Sequence, residues 1–84
     1  MREIKLYTTS GCHLCEQAEE MFLYCLKENI DFKNDLSLSQ VEISLDEALM
    51  DHYGVRIPVL GFNEKELAWP FALNELQCWL NELD

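Results

Sequence analysis

Two cysteines, Cys12 and Cys15, stand between a short alternating segment and a long amphipathic one. The alternation over residues 3–8 predicts a β-strand, and apolar residues at three- and four-residue spacing over 12–28 predict an α-helix. Their separation is almost one helical turn, so both sulfurs can lie at one helix start and close a small disulfide ring. Unpaired N–H groups and the helix dipole favour a thiolate there. This order is typical of a thiol–disulfide redox site.

The length and composition allow one small globular domain, residues 1–84. An apolar fraction of 49% argues against disorder. Sixteen acidic residues against six basic ones give a formal charge of −10, which disfavours nucleic acid and anionic membranes as partners. No secretory signal and no membrane-spanning run is visible, so we expect a cytoplasmic protein. In that compartment a close cysteine pair is more often catalytic or metal-binding than structural.

The remaining pattern predicts a loop, three strands and two helices. In chain order these are a loop over 30–39, a strand over 40–45, a helix over 46–53, strands over 57–62 and 64–69, and a helix over 70–83. Asn29 can end the first helix in a left-handed conformation. The second helix can be capped by Asp46 or by a capping box of Ser44 and Glu47.

These elements predict an α/β fold with a four-stranded mixed sheet and helices on both faces, in the order βαβ-α-ββα. The first strand, helix and strand should form a right-handed parallel unit, because that crossover hand dominates in proteins. The last two strands should form an antiparallel hairpin, because their connection is short.

With these elements in place, the chain resembles the thioredoxin superfamily, and most of all a short glutaredoxin-like protein. The resemblance is carried by the Cys12–Cys15 motif, the order of elements and the Val-Arg-Ile-Pro-Val segment at 55–59. The segment at 66–71 is similar to short bacterial glutaredoxin-like proteins. The resemblance implies a thioredoxin-like fold, thiol–disulfide exchange and a cis bond before Pro58, in a loop beside the two sulfurs.

The chain departs from glutaredoxins at two places that hold glutathione in those enzymes. Ser10 and Gly11 stand where a basic residue usually precedes the motif, and residues 68–72 contain no glycine pair. We therefore expect a protein reductase to be a better electron donor than glutathione.

The order of the cysteines predicts their roles. Cys12 lies nearer the helix start and should be the more exposed sulfur, which makes it the candidate nucleophile. Cys15 lies one turn deeper and suits the resolving thiol that releases the reduced substrate. Cys25 falls on the apolar face of the helix, where a buried inert thiol is expected.

Five further residues are candidates for substrate binding: His13, Arg56, Ile57, Pro58 and Trp69. A charged His13 would favour the thiolate and a neutral one could move a proton, but the side chain could equally lie idle in solvent. Arg56 could hold a carboxylate of the substrate or of glutathione, or make a surface ion pair. Trp69 could wall the substrate groove or simply pack. The resemblance implies that backbone before Pro58 pairs with extended substrate.

The sequence therefore predicts a thiol–disulfide oxidoreductase that exchanges disulfides through Cys12 and Cys15, without a cofactor. Its substrate would be a disulfide-containing protein or a small thiol, its electron donor a reductase or glutathione, and the protein would be a monomer. A c-type haem is disfavoured because Glu16, and not histidine, follows the second cysteine. Zinc and iron–sulfur sites are disfavoured because the other cysteines lack the spacing that these groups require. The alternative is a non-catalytic module that binds metal through the same cysteines or peptide through the groove at Pro58.

Overall fold

The computed structural model describes residues 2–83. Its elements are β1 (Arg2–Thr8), α1 (His13–Glu28), α2 (Ile30–Asp35), β2 (Leu36–Glu42), a short 3-10 helix (Ile43–Leu45), α3 (Glu47–Tyr53), β3 (Val59–Phe62), β4 (Lys65–Ala68) and α4 (Leu73–Asn81). The strands form one sheet in the order β2-β1-β3-β4, in which β1 and β2 are parallel and the other pairs antiparallel. The predicted four-stranded mixed sheet is confirmed.

Helices cover both faces of this sheet, as predicted. Because neighbouring strand residues point to opposite faces, Leu6 and Tyr7 of β1 belong to different clusters. The larger cluster joins β1 to α1 and α4, and its least exposed members include Ile4, Leu6, Ala18, Phe22, Leu76 and Leu80. The smaller cluster joins Val59 of β3 to Ile43 and Tyr53. Within residues 2–83, no helix is both long and apolar enough to cross a membrane.

The predicted loop over 30–39 is wrong, because α2 and the first part of β2 occupy it. Asn29 ends α1 in an extended conformation with φ −132°, and not in the left-handed conformation we expected. Its side-chain oxygen accepts hydrogen bonds from the N–H groups of Asp31 and Phe32 at 3.0 and 3.3 Å. Asn29 is therefore the cap of the next helix. This helix buries Phe32 alone, so the sequence offers no repeating apolar pattern to reveal it.

The second strand was predicted over 40–45, but it begins earlier, at Leu36, and ends earlier, at Glu42. The strand ends at Glu42 because the Glu42 side chain accepts the N–H of Ser44 at 3.1 Å and caps the 3-10 helix. Within that helix Ile43 is buried, whereas Leu45 is 85% exposed. Apolar alternation continues past the end of the strand, which is why the sequence pattern placed it too late.

The later elements lie close to their predicted positions. Asp46 caps α3 by accepting the N–H groups of Ala48 and Leu49 at 2.8 and 3.4 Å, so the Ser44–Glu47 alternative is wrong. Strands β3 and β4 are shorter than predicted, and the predicted antiparallel hairpin is confirmed. Helix α4 begins at Leu73 instead of residue 70, after a cis Trp69–Pro70 bond.

Two adjacent residues of α1 test the packing of the larger cluster. Phe22 is fully buried and Leu23 is 50% exposed. We expect Phe22→Ala to lower the free energy of unfolding by about 3–5 kcal/mol, because it removes buried apolar surface and leaves a cavity. Leu23→Ala is the control and should change it by less than about 0.5 kcal/mol. Urea denaturation followed by circular dichroism measures both, and equal losses would contradict this account of the core.

Candidate active site

The two motif cysteines meet at the start of α1. They form a disulfide with 5.2 Å between their Cα atoms. Cys12 is the N-cap of the helix, and its Sγ accepts the N–H of Cys15 at 3.1 Å. Cys12 is half-buried, while Cys15 is only 4% exposed. The structure thus places the pair as the sequence predicts, with Cys12 outside and Cys15 inside; their catalytic roles stay predictions.

A tight turn connects the end of β1 to Cys12. The N–H of Cys12 donates to the Thr9 carbonyl at 3.3 Å, which closes the turn over residues 9–12. Gly11 has φ +78°, a conformation that disfavours residues with a side chain. The position of the Cys12 sulfur therefore depends on the geometry of this turn.

Glu42 is hydrogen-bonded to that turn, although it was not among the predicted site residues. Its Oε1 accepts the N–H of Ser10 at 2.9 Å, while Oε2 accepts the N–H of Ser44. Glu42 is the last residue of β2 and pairs with Thr8, the last residue of β1. An acid at the end of a strand parallel to β1 was the available signal, but the wrong boundaries of the second strand concealed it.

Hydrogen bonds keep Glu42 ionised. The backbone N–H of Ser44 and then the hydroxyl of Thr9 lower its pKa to about 2. A carboxylate that accepts several such bonds is stabilised in its charged form. The carboxylate that accepts the Ser10 N–H is therefore negatively charged throughout the physiological pH range.

An open cleft of about 280 Å³ borders the disulfide. Cys12, Cys15 and the side chains of Thr8, Glu16 and Glu19 contribute to its walls. Within residues 2–83 none of the wall residues is Lys or Arg. The cleft is thus polar and acidic, and it offers no cation to an anionic substrate.

His13 does not contribute to the walls of this cleft. Its side chain is 90% exposed, and Nδ1 lies 3.5 Å from Oε2 of Glu16. The structure thus places His13 in solvent beside a carboxylate, and its role at the site stays a prediction.

Arg56 is engaged with other side chains. Its Nη2 lies 2.9 Å from Oε1 of Glu66, and its Nη1 lies 3.2 Å from Nε2 of His52. The hydroxyl of Tyr53 donates to Oε2 of Glu66 at 2.5 Å, and the Tyr53 ring stacks on that of Tyr7. The Tyr53 hydrogen bond and then the Arg56 guanidinium lower the pKa of Glu66, while burial and Glu66 raise that of Tyr53. The structure thus shows the ion pair that was one of two alternatives for Arg56.

The bond before Pro58 is cis, as the resemblance implied. The carbonyl of Pro58 accepts the N–H of Trp69 at 3.0 Å, so two of the predicted substrate-binding residues are joined. Trp69 is half-buried and packs edge-on against Phe71, with 5.1 Å between ring centroids. Ile57 packs against the smaller core cluster. Their contact with substrate stays a prediction.

The remaining cysteines lie apart from this pair. Cys25 is buried, as predicted, and burial raises the pKa of its thiol; Cys78 is exposed. In the part of the chain that the structure describes, no group of three or more His, Cys, Asp or Glu residues is arranged to hold a metal ion.

The lowered pKa of Glu42 predicts how stability depends on pH. Its folded-state pKa of about 2 lies below its ordinary 4.5, so its contribution is present above about pH 4.5 and is lost as pH falls toward 2. We expect Glu42→Gln to flatten the pH dependence of the unfolding midpoint in that window. Glu20→Gln, which removes an exposed acid of α1, is the control. Identical pH profiles for the two variants would contradict the prediction.

The family model described as "Glutaredoxin-like domain (DUF836)" matches residues 3–81. The X-ray structure of XcR50, a structural genomics target from X. campestris, is 35% identical, with a TM-score of 0.77 over 96% of this chain and 99% of that one. The solution structure of the same target has the same identity and TM-score and covers 100% and 97% of the two chains.

A third solved structure shows likeness of fold alone. It is described as a malarial protein, is 15% identical and has a TM-score of 0.63, over 95% of this chain and 93% of that one. No match is found among curated proteins. Because the family model covers nearly the full length, this chain belongs to the glutaredoxin-like domain family (DUF836).

Proposed function

We propose that this protein is a thiol–disulfide oxidoreductase that works through Cys12 and Cys15. The observation that carries the proposal is the disulfide at the start of α1, with a half-buried outer sulfur and a buried inner one. The glutaredoxin-like family supports it.

The first half of the reaction reduces the substrate. The Cys12 thiolate attacks one sulfur of a substrate disulfide, forms a bond to it and expels the other sulfur as a thiolate that takes a proton from solvent. Cys15 then loses its proton and attacks the Cys12 sulfur, which breaks the mixed disulfide and releases the second substrate thiol. The substrate has gained two electrons, and the protein holds the Cys12–Cys15 disulfide.

An external dithiol supplies two electrons and returns the pair to its reduced form by the same exchange steps. Helix geometry supports Cys12 as the attacking group, because its sulfur accepts the Cys15 N–H at the positive end of a 16-residue helix. The inner position of Cys15 suits a thiol that reacts only with Cys12. Such a reaction suits the cytoplasm, where reductases keep thiols reduced.

We further propose that the donor is a protein reductase and not glutathione. Glutathione is anionic, whereas Glu16 and Glu19 line the cleft beside the sulfurs. Arg56 is already paired with Glu66. The formal charge of −10 also slows the approach of any anion at low salt.

Trapping tests the two cysteine roles. Cys15→Ser should accumulate mixed disulfides with substrate through Cys12, because no resolving thiol remains, whereas Cys12→Ser should accumulate none. Cys78→Ser removes an exposed thiol outside the motif and should behave as the unsubstituted protein. Nonreducing gels and mass spectrometry of the trapped species provide the measurement. Equal trapping by the two motif variants would refute the assignment.

Parallel turnover of one disulfide substrate tests the donor. We expect turnover with a thioredoxin-reductase system to exceed turnover with millimolar glutathione and its reductase by about tenfold or more at low salt, as charge repulsion alone can slow an encounter on that order. Higher salt should narrow the difference, because it screens exposed charges. Consumption of NADPH measures both systems. Faster turnover with glutathione would defeat the proposal.

A further inference from the structure

The carboxylate of Glu42 connects the end of β2 to the turn that carries Cys12. We propose that Glu42 is a positioning residue for Cys12, which holds the turn over residues 9–12 so that the sulfur stays at the start of α1. This inference rests on the proposed function, in which Cys12 is the attacking thiol.

Glu42 bridges two segments that are far apart in the chain. Oε1 accepts the backbone N–H of Ser10 at 2.9 Å and lies 3.4 Å from the Ser10 hydroxyl. Oε2 accepts the backbone N–H of Ser44 at 3.1 Å. Because each oxygen has its own donor, the side chain is fixed at both ends. The 3-10 helix after β2 therefore fixes the Glu42 side chain beside the turn.

Hydrogen bonds, more than packing, must hold the turn in place. Ser10 and Gly11 are exposed, and a Cβ built on Gly11 would meet nothing within 4 Å. The turn is closed by the bond from the Cys12 N–H to the Thr9 carbonyl at 3.3 Å, which is long for such a bond. The bond from Ser10 to Glu42 is shorter and involves an ionised acceptor, which makes it the stronger of the two.

The charge of Glu42 and its effect on the turn geometry would change the pKa of Cys12 in opposite directions, and this makes the inference testable. A negative charge near a thiol disfavours the thiolate, so loss of the Glu42 charge alone would lower the pKa of Cys12. Loss of the turn geometry would move the sulfur away from the helix start and raise that pKa. His13, Glu16 and Glu19 of α1 are also charged or titratable groups close to the motif, and the variants below leave them unchanged.

The experiment measures the rate of Cys12 alkylation against pH in the full-length Cys15→Ser protein. The labelled Cys12 peptide is quantified by mass spectrometry, because Cys78 is also exposed. The variants are Glu42→Gln, which keeps the shape but offers one acceptor oxygen, and Glu42→Asp, which keeps the charge but shortens the reach. The matched control is Asp46→Asn, which also removes a capping carboxylate close in the chain but does not touch the turn.

We expect the pKa of Cys12 to rise in both Glu42 variants and to stay unchanged in the control. At a pH at least one unit below the pKa of Cys12, alkylation should slow by about three- to tenfold, since a rise of one pKa unit lowers the thiolate fraction tenfold in that range. A fall in Glu42→Gln with no change in Glu42→Asp would show that only charge acts, and would overturn the proposal. An unchanged pKa in both variants would overturn it as well.

A measurement on the unsubstituted protein does not depend on how the variants fold. The amide hydrogen of Ser10 should exchange with solvent more slowly than that of the exposed Gly11, because Glu42 accepts its hydrogen bond. Exchange of the Ser10 amide at the rate of an unstructured peptide would overturn the proposal. The trapping experiment above reports separately on whether Cys12 is the attacking thiol, so the two proposals can fail independently.

Discussion

The parallel pairing of β1 with β2 determines where everything else in this protein can lie. Parallel strands need a crossover between them, and here α1 and α2 supply it and cover one face of the sheet. The register runs from Arg2 opposite Leu36 to Thr8 opposite Glu42, so the carboxyl ends of both strands lie side by side. The start of α1, the cysteine pair and Glu42 meet there. At the amino ends of these strands, Arg2 pairs with Asp35 and donates to the Leu83 carbonyl at 3.1 Å.

The acidic excess of the chain has a structural use beyond solubility. Glu42 and Asp46 each accept backbone N–H groups at the starts of successive helical segments, and Glu75 accepts the N–H of Ala72 at the start of α4. Carboxylates suit these positions because the N–H groups of a first turn lack partners within the helix and the dipole favours negative charge. The Glu42 carboxylate that caps the 3-10 helix also accepts a hydrogen bond from the turn before the motif, so the cap and the candidate active site share one side chain.

Both arginines are paired away from the cysteine motif. Arg56 binds Glu66 and contacts His52, and Arg2 binds Asp35. The acidic cleft beside the sulfurs keeps its negative character. This distribution is the structural basis for expecting a protein reductase as donor, because a protein can approach with a complementary basic surface that glutathione lacks.

Local patterns in the sequence determined the parts of this protein that depend on neighbouring residues. The spacing of Cys12 and Cys15, the length of α1 and the cap at Asp46 all follow from interactions within a few positions, and the sheet class follows from the order of elements. Other features depend on partners distant in the chain. These are the register of β2, the burial of Phe32 on α2, and the contacts of Glu42 and Arg56. The hydrogen bond between Ser10 and Glu42 spans 32 residues, and the ion pair between Arg56 and Glu66 joins a loop to β4. Only the folded sheet brings such groups together, because their contacts form when strands align and no local periodicity encodes them.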